Sequence, residues 1–169
     1  MKRLLLVLTV GCGYHSVVAA PTGKLHVGKV HSVIADASAA IEVEQGMREA
    51  LAREGALAAD STCPCVHVEV TRIDHAAGAI VARAGDPAAS SQITAIVGRA
   101  TVDDGQGHTL FDTGDVRAET TYALAGADPA LAEALRGSDA LRAAARRLGR
   151  LLGARVLGHP AASEDAEGR

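Results

Sequence analysis

The chain has 169 residues, a mass of 17.2 kDa and a formal net charge of −3, which fits one compact domain and leaves little room for a second. Hydrophobic residues make up 48% and charged residues 22%, which excludes wholesale disorder and a polytopic membrane protein. Aromatics stand at 2% with no Trp and the sequence pI is about 6.1, so base-stacking platforms and a general nucleic-acid surface are excluded as well.

Lys2 and Arg3 precede an apolar run from Leu4 to Val10, followed by Gly11-Cys12-Gly13. A basic start before a short apolar stretch is the layout of a secretory signal, and the run falls short of the roughly 20 apolar residues of a spanning helix. Leu8-Thr9-Val10-Gly11-Cys12 resembles a bacterial lipobox, with Thr9 where an aliphatic residue is usual. The resemblance implies removal of residues 1–11 and lipidation of Cys12, with Gly13 rather than Asp fitting export to the outer membrane. Cleavage there removes Lys2 and Arg3 and takes the net charge from −3 to −5. At about 0.8 kcal/mol per buried methylene, two or three acyl chains anchor a protein durably.

Residues 12–23 read as a lipidated tether and 24–158 as the folded domain. Leu25, Val27, Val30, Val33 and Ile34 predict a first strand over 24–34, with a bulge near Gly28. A helix then starts from Asp36 or Ser38, either of which can cap it, and buries Val43, Met47, Ala50 and Leu51 before Gly55 ends it. Val66, Val68 and Val70 alternate with polar residues and predict a half-buried strand over 65–73. A third strand is expected at 92–102, a turn at Asp103-Asp104-Gly105-Gln106-Gly107, and a fourth strand over 109–122. Asp128-Pro129 opens a short helical piece that Gly137-Ser138 interrupts, and Ser138 caps a longer helix to about Leu157. Gly158 and Pro160 end it, and the polar, acidic tail 159–169 is expected to be disordered. The order β-α-β-β-β-α predicts an α+β two-layer sandwich, with two main helices packed on a mainly antiparallel four-stranded sheet.

Gly11-Cys12-Gly13-Tyr14-His15 and the hairpin stretch Gly107-His108-Thr109-Leu110-Phe111-Asp112-Thr113-Gly114-Asp115-Val116, closing at Tyr122, resemble the LPS-assembly lipoprotein LptE family over roughly 12–158. Departures are Ser16, the pair Cys63 and Cys65, and the segment 126–137. The resemblance implies a non-enzymatic lipoprotein on the periplasmic side of the outer membrane. Its partners would be an LptD-type β-barrel, which it plugs and helps to assemble, and lipopolysaccharide. Other readings stay open: a periplasmic lipoprotein binding a small ligand or metal, or an adaptor for another barrel or a secretin.

Phosphate contact calls for cations held on strands and turns, which points to Lys24, Lys29, Arg72, Arg83, Arg99 and Arg117. Arg99 and Arg117 are the stronger pair, because their strands are expected to be hairpin neighbours. Arg142, Arg146, Arg147 and Arg150 read instead as a solvated or partner-facing helix face. Cys63 and Cys65 can form a disulfide in an oxidising periplasm, and with a single residue between them the bridge is expected to be labile. A metal reading recruits His67 and His75 to the same cysteines but lacks the Cys-x₂₋₄-Cys spacing that zinc prefers. No nucleophile elbow, His-Glu-x-x-His or phosphate loop occurs, so no enzyme, cofactor or bound metal is expected.

Overall fold

The computed structural model describes residues 23–33, 37–80, 90–124 and 130–159. The leader, Cys12 and most of the tether lie outside these residues, as do Ile34, Asp36, Arg83, Asp128-Pro129 and the tail from 160.

Two short strands, β1 (His26–Val27) and β2 (His31–Ser32), precede helix α1 (Ala37–Arg53). Strands β3 (Cys65–Ile80), β4 (Ser90–Asp103) and β5 (Thr109–Ala123) form a meander, and α2 (Ala130–Val156) returns across it. The sheet runs β1-β3-β4-β5, with β2 also on β3, and both short strands pair with β3 in parallel. Parallel neighbours need a crossover, and α1 supplies it. The expected two-layer α+β sandwich is therefore present, and its first strand is a broken edge. The break falls at 28–30, where the Gly28 amide bonds the Val66 carbonyl and Arg48 of α1 donates to the Val27 carbonyl at 3.3 Å. Between the two fragments Val30 turns inward and is buried.

Alternation places Val66, Val68 and Val70 with Ile96, Ala100, Val102, Val116 and Ala118 on the inner face. Over them lie Val43, Met47 and Leu51 of α1 and Ala144, Leu148, Leu152 and Val156 of α2. Glycines set how closely the helices approach. A Cβ on Gly46 would overlap the Arg146 carbonyl, one on Gly149 would overlap the Val43 carbonyl, and one on Gly153 would sit 2.6 Å from the Ala50 Cβ. These contacts advance together along both helices, so α1 and α2 run in the same direction, nearly backbone to backbone. Arg146 seals the seam from outside, donating to Glu49 at 2.7 Å and Gln45 at 3.2 Å, and Arg150 lies 3.6 Å from Glu49. Two of the arginines read as a solvated or partner-facing helix face are thus tied across to α1, while Arg142 pairs with Asp139 of its own helix.

The expected interruption at Gly137-Ser138 does not occur, because α2 is continuous through it. Ser138 Oγ donates to the Leu135 carbonyl at 2.8 Å instead of capping a new helix. Gly137 sits against Tyr122, where a Cβ would lie 3.2 Å from the phenolic oxygen. Tertiary contact thus outweighs the roughly 1 kcal/mol that glycine costs a helix interior. Since α1 meets α2 along residues 146–153, the first turns of α2 run on past it, leaving Leu131 71% and Leu135 58% exposed. No described helix is long and apolar enough to cross a membrane.

Candidate functional site

The helices cover one face of the sheet, and the other is open. Its residues fall into rows set by the strand register. One row reads His31, Glu69, Arg99, Asp115; the next reads His67, Thr101, Asp112; a third reads Arg72, Val97, Arg117; and Asp74, Ala95 and Glu119 form a fourth. In the first row opposite charges meet on neighbouring strands, the favourable arrangement for cross-strand pairs; in the third and fourth, like charges flank a small apolar residue and the pairing runs between rows. Val97 and Ala95 are buried on this open face because the long side chains beside them fold over the small central positions.

Arg99 and Arg117, expected together on hairpin neighbours, do share this face. Each is already committed. Arg99 forms a two-pronged pair with Asp112, its Nε donating to Oδ1 at 2.6 Å and its Nη2 to Oδ2. That contact raises the Arg99 pKa further and holds the Asp112 carboxyl below the ordinary carboxylate value. Arg117 donates to Asp74 at 2.9 Å and to Glu119 at 3.4 Å, and Arg72 reaches the same Asp74 at 3.0 Å. His67 pairs with Asp103. Glu69, Asp74, Asp103, Asp112, Asp115 and Glu119 outnumber Arg72, Arg99 and Arg117 among the described residues of the face, so its net charge is negative.

A shallow pocket of about 370 Å³ opens where β2 meets the face, with His31, Val33, His67, Glu69, Arg99 and Thr101 on its walls. Val33 is 72% exposed there and gives the pocket an apolar lip. Lys29 lies in a second groove beside Ile41 and Glu44 of α1, and Lys24 is exposed. Sequence reasoning missed this pocket, because it depends on β2 lying parallel to β3, which no local pattern announces.

Two features adjoin the face. The turn after β4 is fixed by Asp103 and Asp104, which accept from the amides of Gly105 and Gln106 at 2.7 Å each, with Gly105 and Gly107 at positive φ. His108 and Gln106 bonding lowers the Asp104 pKa. Beyond it β5 carries a bulge at 112–114, with Gly114 at φ 63° and Thr113 Oγ1 accepting from the Ala100 amide at 2.9 Å. The bulge places Asp112 beside Arg99 although Asp115 is the register partner. Cys63 and Cys65 are joined by a disulfide, so neither sulfur is a free thiolate for a metal. His75, the other histidine of the metal reading, lies on β3 beyond His67 and is in contact with Thr94. No cluster of metal-binding side chains occurs among the described residues.

Because Asp112 has its pKa lowered by Arg99, it stabilises the fold above the unfolded carboxylate value near pH 4 and loses that contribution as pH falls through its own lower value. Asp112→Asn should flatten the dependence of stability on pH below about pH 4. Urea midpoints across that range check this, and curves of unchanged slope would count against the pair.

No protein-family model matches the chain, and no curated protein matches it. Solved structures do. A minor lipoprotein from Acinetobacter baumannii aligns over 80% of this chain and 91% of its own, at 12% identity and a TM-score of 0.51. The rare lipoprotein B of Shewanella oneidensis aligns over 79% of this chain and 91% of its own, at 12% identity and a TM-score of 0.41. At such identity the likeness to the Acinetobacter protein establishes a shared fold.

Proposed function

We propose that the protein is an outer-membrane lipoprotein of the lipopolysaccharide transport and assembly machinery, acting through shape and surface and not through catalysis. The observation that carries this reading is a lipobox-like Cys12 ahead of a fold shared with the Acinetobacter baumannii lipoprotein. The family resemblance of residues 11–15 and 107–122 adds the partner, an LptD-type β-barrel whose lumen the domain would fill. A barrel lumen is aqueous and polar, which suits an open sheet face covered with paired charges. Its negative balance fits a lumen wall that presents cations or hydrogen-bond donors. Direct contact with lipopolysaccharide belongs to the same reading. Arg99 and Arg117 are the favoured pair among the cations held on strands, and a lipid phosphate reaching them must displace Asp112, or Asp74 and Glu119.

The test is affinity purification of the full-length lipoprotein from its own outer membrane, followed by mass spectrometry. A large barrel of the LptD type in near-equal amount is the expected companion. A different barrel or a secretin, or none despite an acylated Cys12, would overturn the assignment.

A further inference from the structure

We propose that the Cys63–Cys65 disulfide is a thiol-exchange site, and that Cys63 is the sulfur an external thiol attacks. The two half-cystines stand in different surroundings. Cys65 begins β3, is 8% exposed, and is gripped on both sides, with Asp103 opposite it on β4 and His26 opposite it on β1. Cys63 lies before the strand, exposed, in a run of exposed residues from Ser61. Gly105 of the β4–β5 turn approaches it from one side. A Cβ there would lie 3.0 Å from the Cys63 Cβ and 3.1 Å from its sulfur, so any larger residue would crowd that sulfur.

Exchange requires the incoming sulfur to approach in line with the S–S bond, from behind the sulfur attacked. Cys63 is exposed, whereas Cys65 is covered between β1 and β4, so the approach to the Cys63 sulfur is the less obstructed one. A thiolate therefore forms a new S–S bond to Cys63 and breaks the existing one. The electron pair departs on the Cys65 sulfur, which takes up the proton that the incoming thiol gave to water. One disulfide replaces another, with no net oxidation. The Cys65 thiolate then stands beside the mixed disulfide and can expel the visitor by the reverse step. Opening the ring leaves the fold in place, because a bridge across one residue removes little chain entropy and the β3 ladder does not depend on it. With Asp103 and Asp104 in the adjoining turn, a neutral thiol suits the site better than an anionic one.

The full-length chain carrying Cys12→Ser, which removes the third thiol, is treated with 2-mercaptoethanol, quenched in acid, alkylated and mapped by mass spectrometry, with circular dichroism monitoring the fold. Mixed disulfide on Cys63 with alkylated Cys65 is expected to exceed the reverse pattern by about tenfold, and the preference should fall towards equality in concentrated guanidinium. Adducts shared equally in the native protein, or favouring Cys65, would overturn the proposal. So would reaction only after unfolding, or a preference that survives unchanged in guanidinium, since that would belong to the Cys-Pro-Cys sequence and not to the fold.

Discussion

Gly149→Ala is expected to destabilise the protein by about 2–3 kcal/mol, although alanine is the better helix former by about 1 kcal/mol. The two effects oppose each other, and geometry decides between them. An alanine Cβ at 149 would overlap the Val43 carbonyl and lie 2.7 Å from the Met47 amide nitrogen, both backbone atoms of α1 that cannot swing aside as a side chain can. Relief requires the helices to separate, which opens the seam that Gly46 and Gly153 also occupy and loosens Val43 and Met47. Gly149→Val should cost about 4 kcal/mol or more, the range in which a small domain ceases to be folded. Urea unfolding followed by far-ultraviolet circular dichroism measures both. An alanine variant as stable as the parent would mean that the helices are not packed backbone to backbone.

Leu148→Ala is expected to cost about 3–4 kcal/mol by the same measurement. Leu148 is fully buried and descends onto Gly98, where its Cδ2 would lie 3.1 Å from a Cβ. The sheet offers no side chain beneath it, so truncation leaves a void that nothing nearby can fill. Nor can Gly98 be enlarged to compensate, since its Cβ would also lie 2.8 Å from the Glu69 carbonyl. Leu148→Met, which keeps the volume, should lose less than about 1.5 kcal/mol. Equal losses from the two variants would contradict the cavity explanation.

The elements built on one hydrophobic period were legible in the sequence. Val43, Met47 and Leu51 located α1, and the alternation from Val66 to Val70 located β3, whose continuation to Ile80 was hidden where the residues become small and polar. The break between β1 and β2 was legible as an irregularity near Gly28, but its pairing partner was not, because parallel pairing is decided by the α1 crossover. Gly137-Ser138 misled in the opposite direction: both are local helix-stop signals, and Tyr122 across the sheet outweighs them. On the open face the strand pattern placed Arg99 and Arg117 together. The carboxylates that engage them come from a bulge at 112–114 and from Asp74 two strands away from Arg117, and neither relation has a sequence signature.

The length mismatch between the two helices divides the sheet into unequal halves. Near β1 and β2 the strands lie beneath two helices locked by their glycine seam. Towards Tyr122 and Ala77 they lie beneath the first turns of α2 alone, where Leu131 and Leu135 remain in water. Opening free energies should follow that division. Amide hydrogens from Arg72 to Ala77 and from Gln92 to Ala95 should exchange with solvent through local fluctuations, well before those of Val66, Val68, Ala100 and Val102. The inner half would then exchange only through global unfolding. Such a molecule would have a stiff base, where both helices cover the sheet, and a compliant tip, where one does.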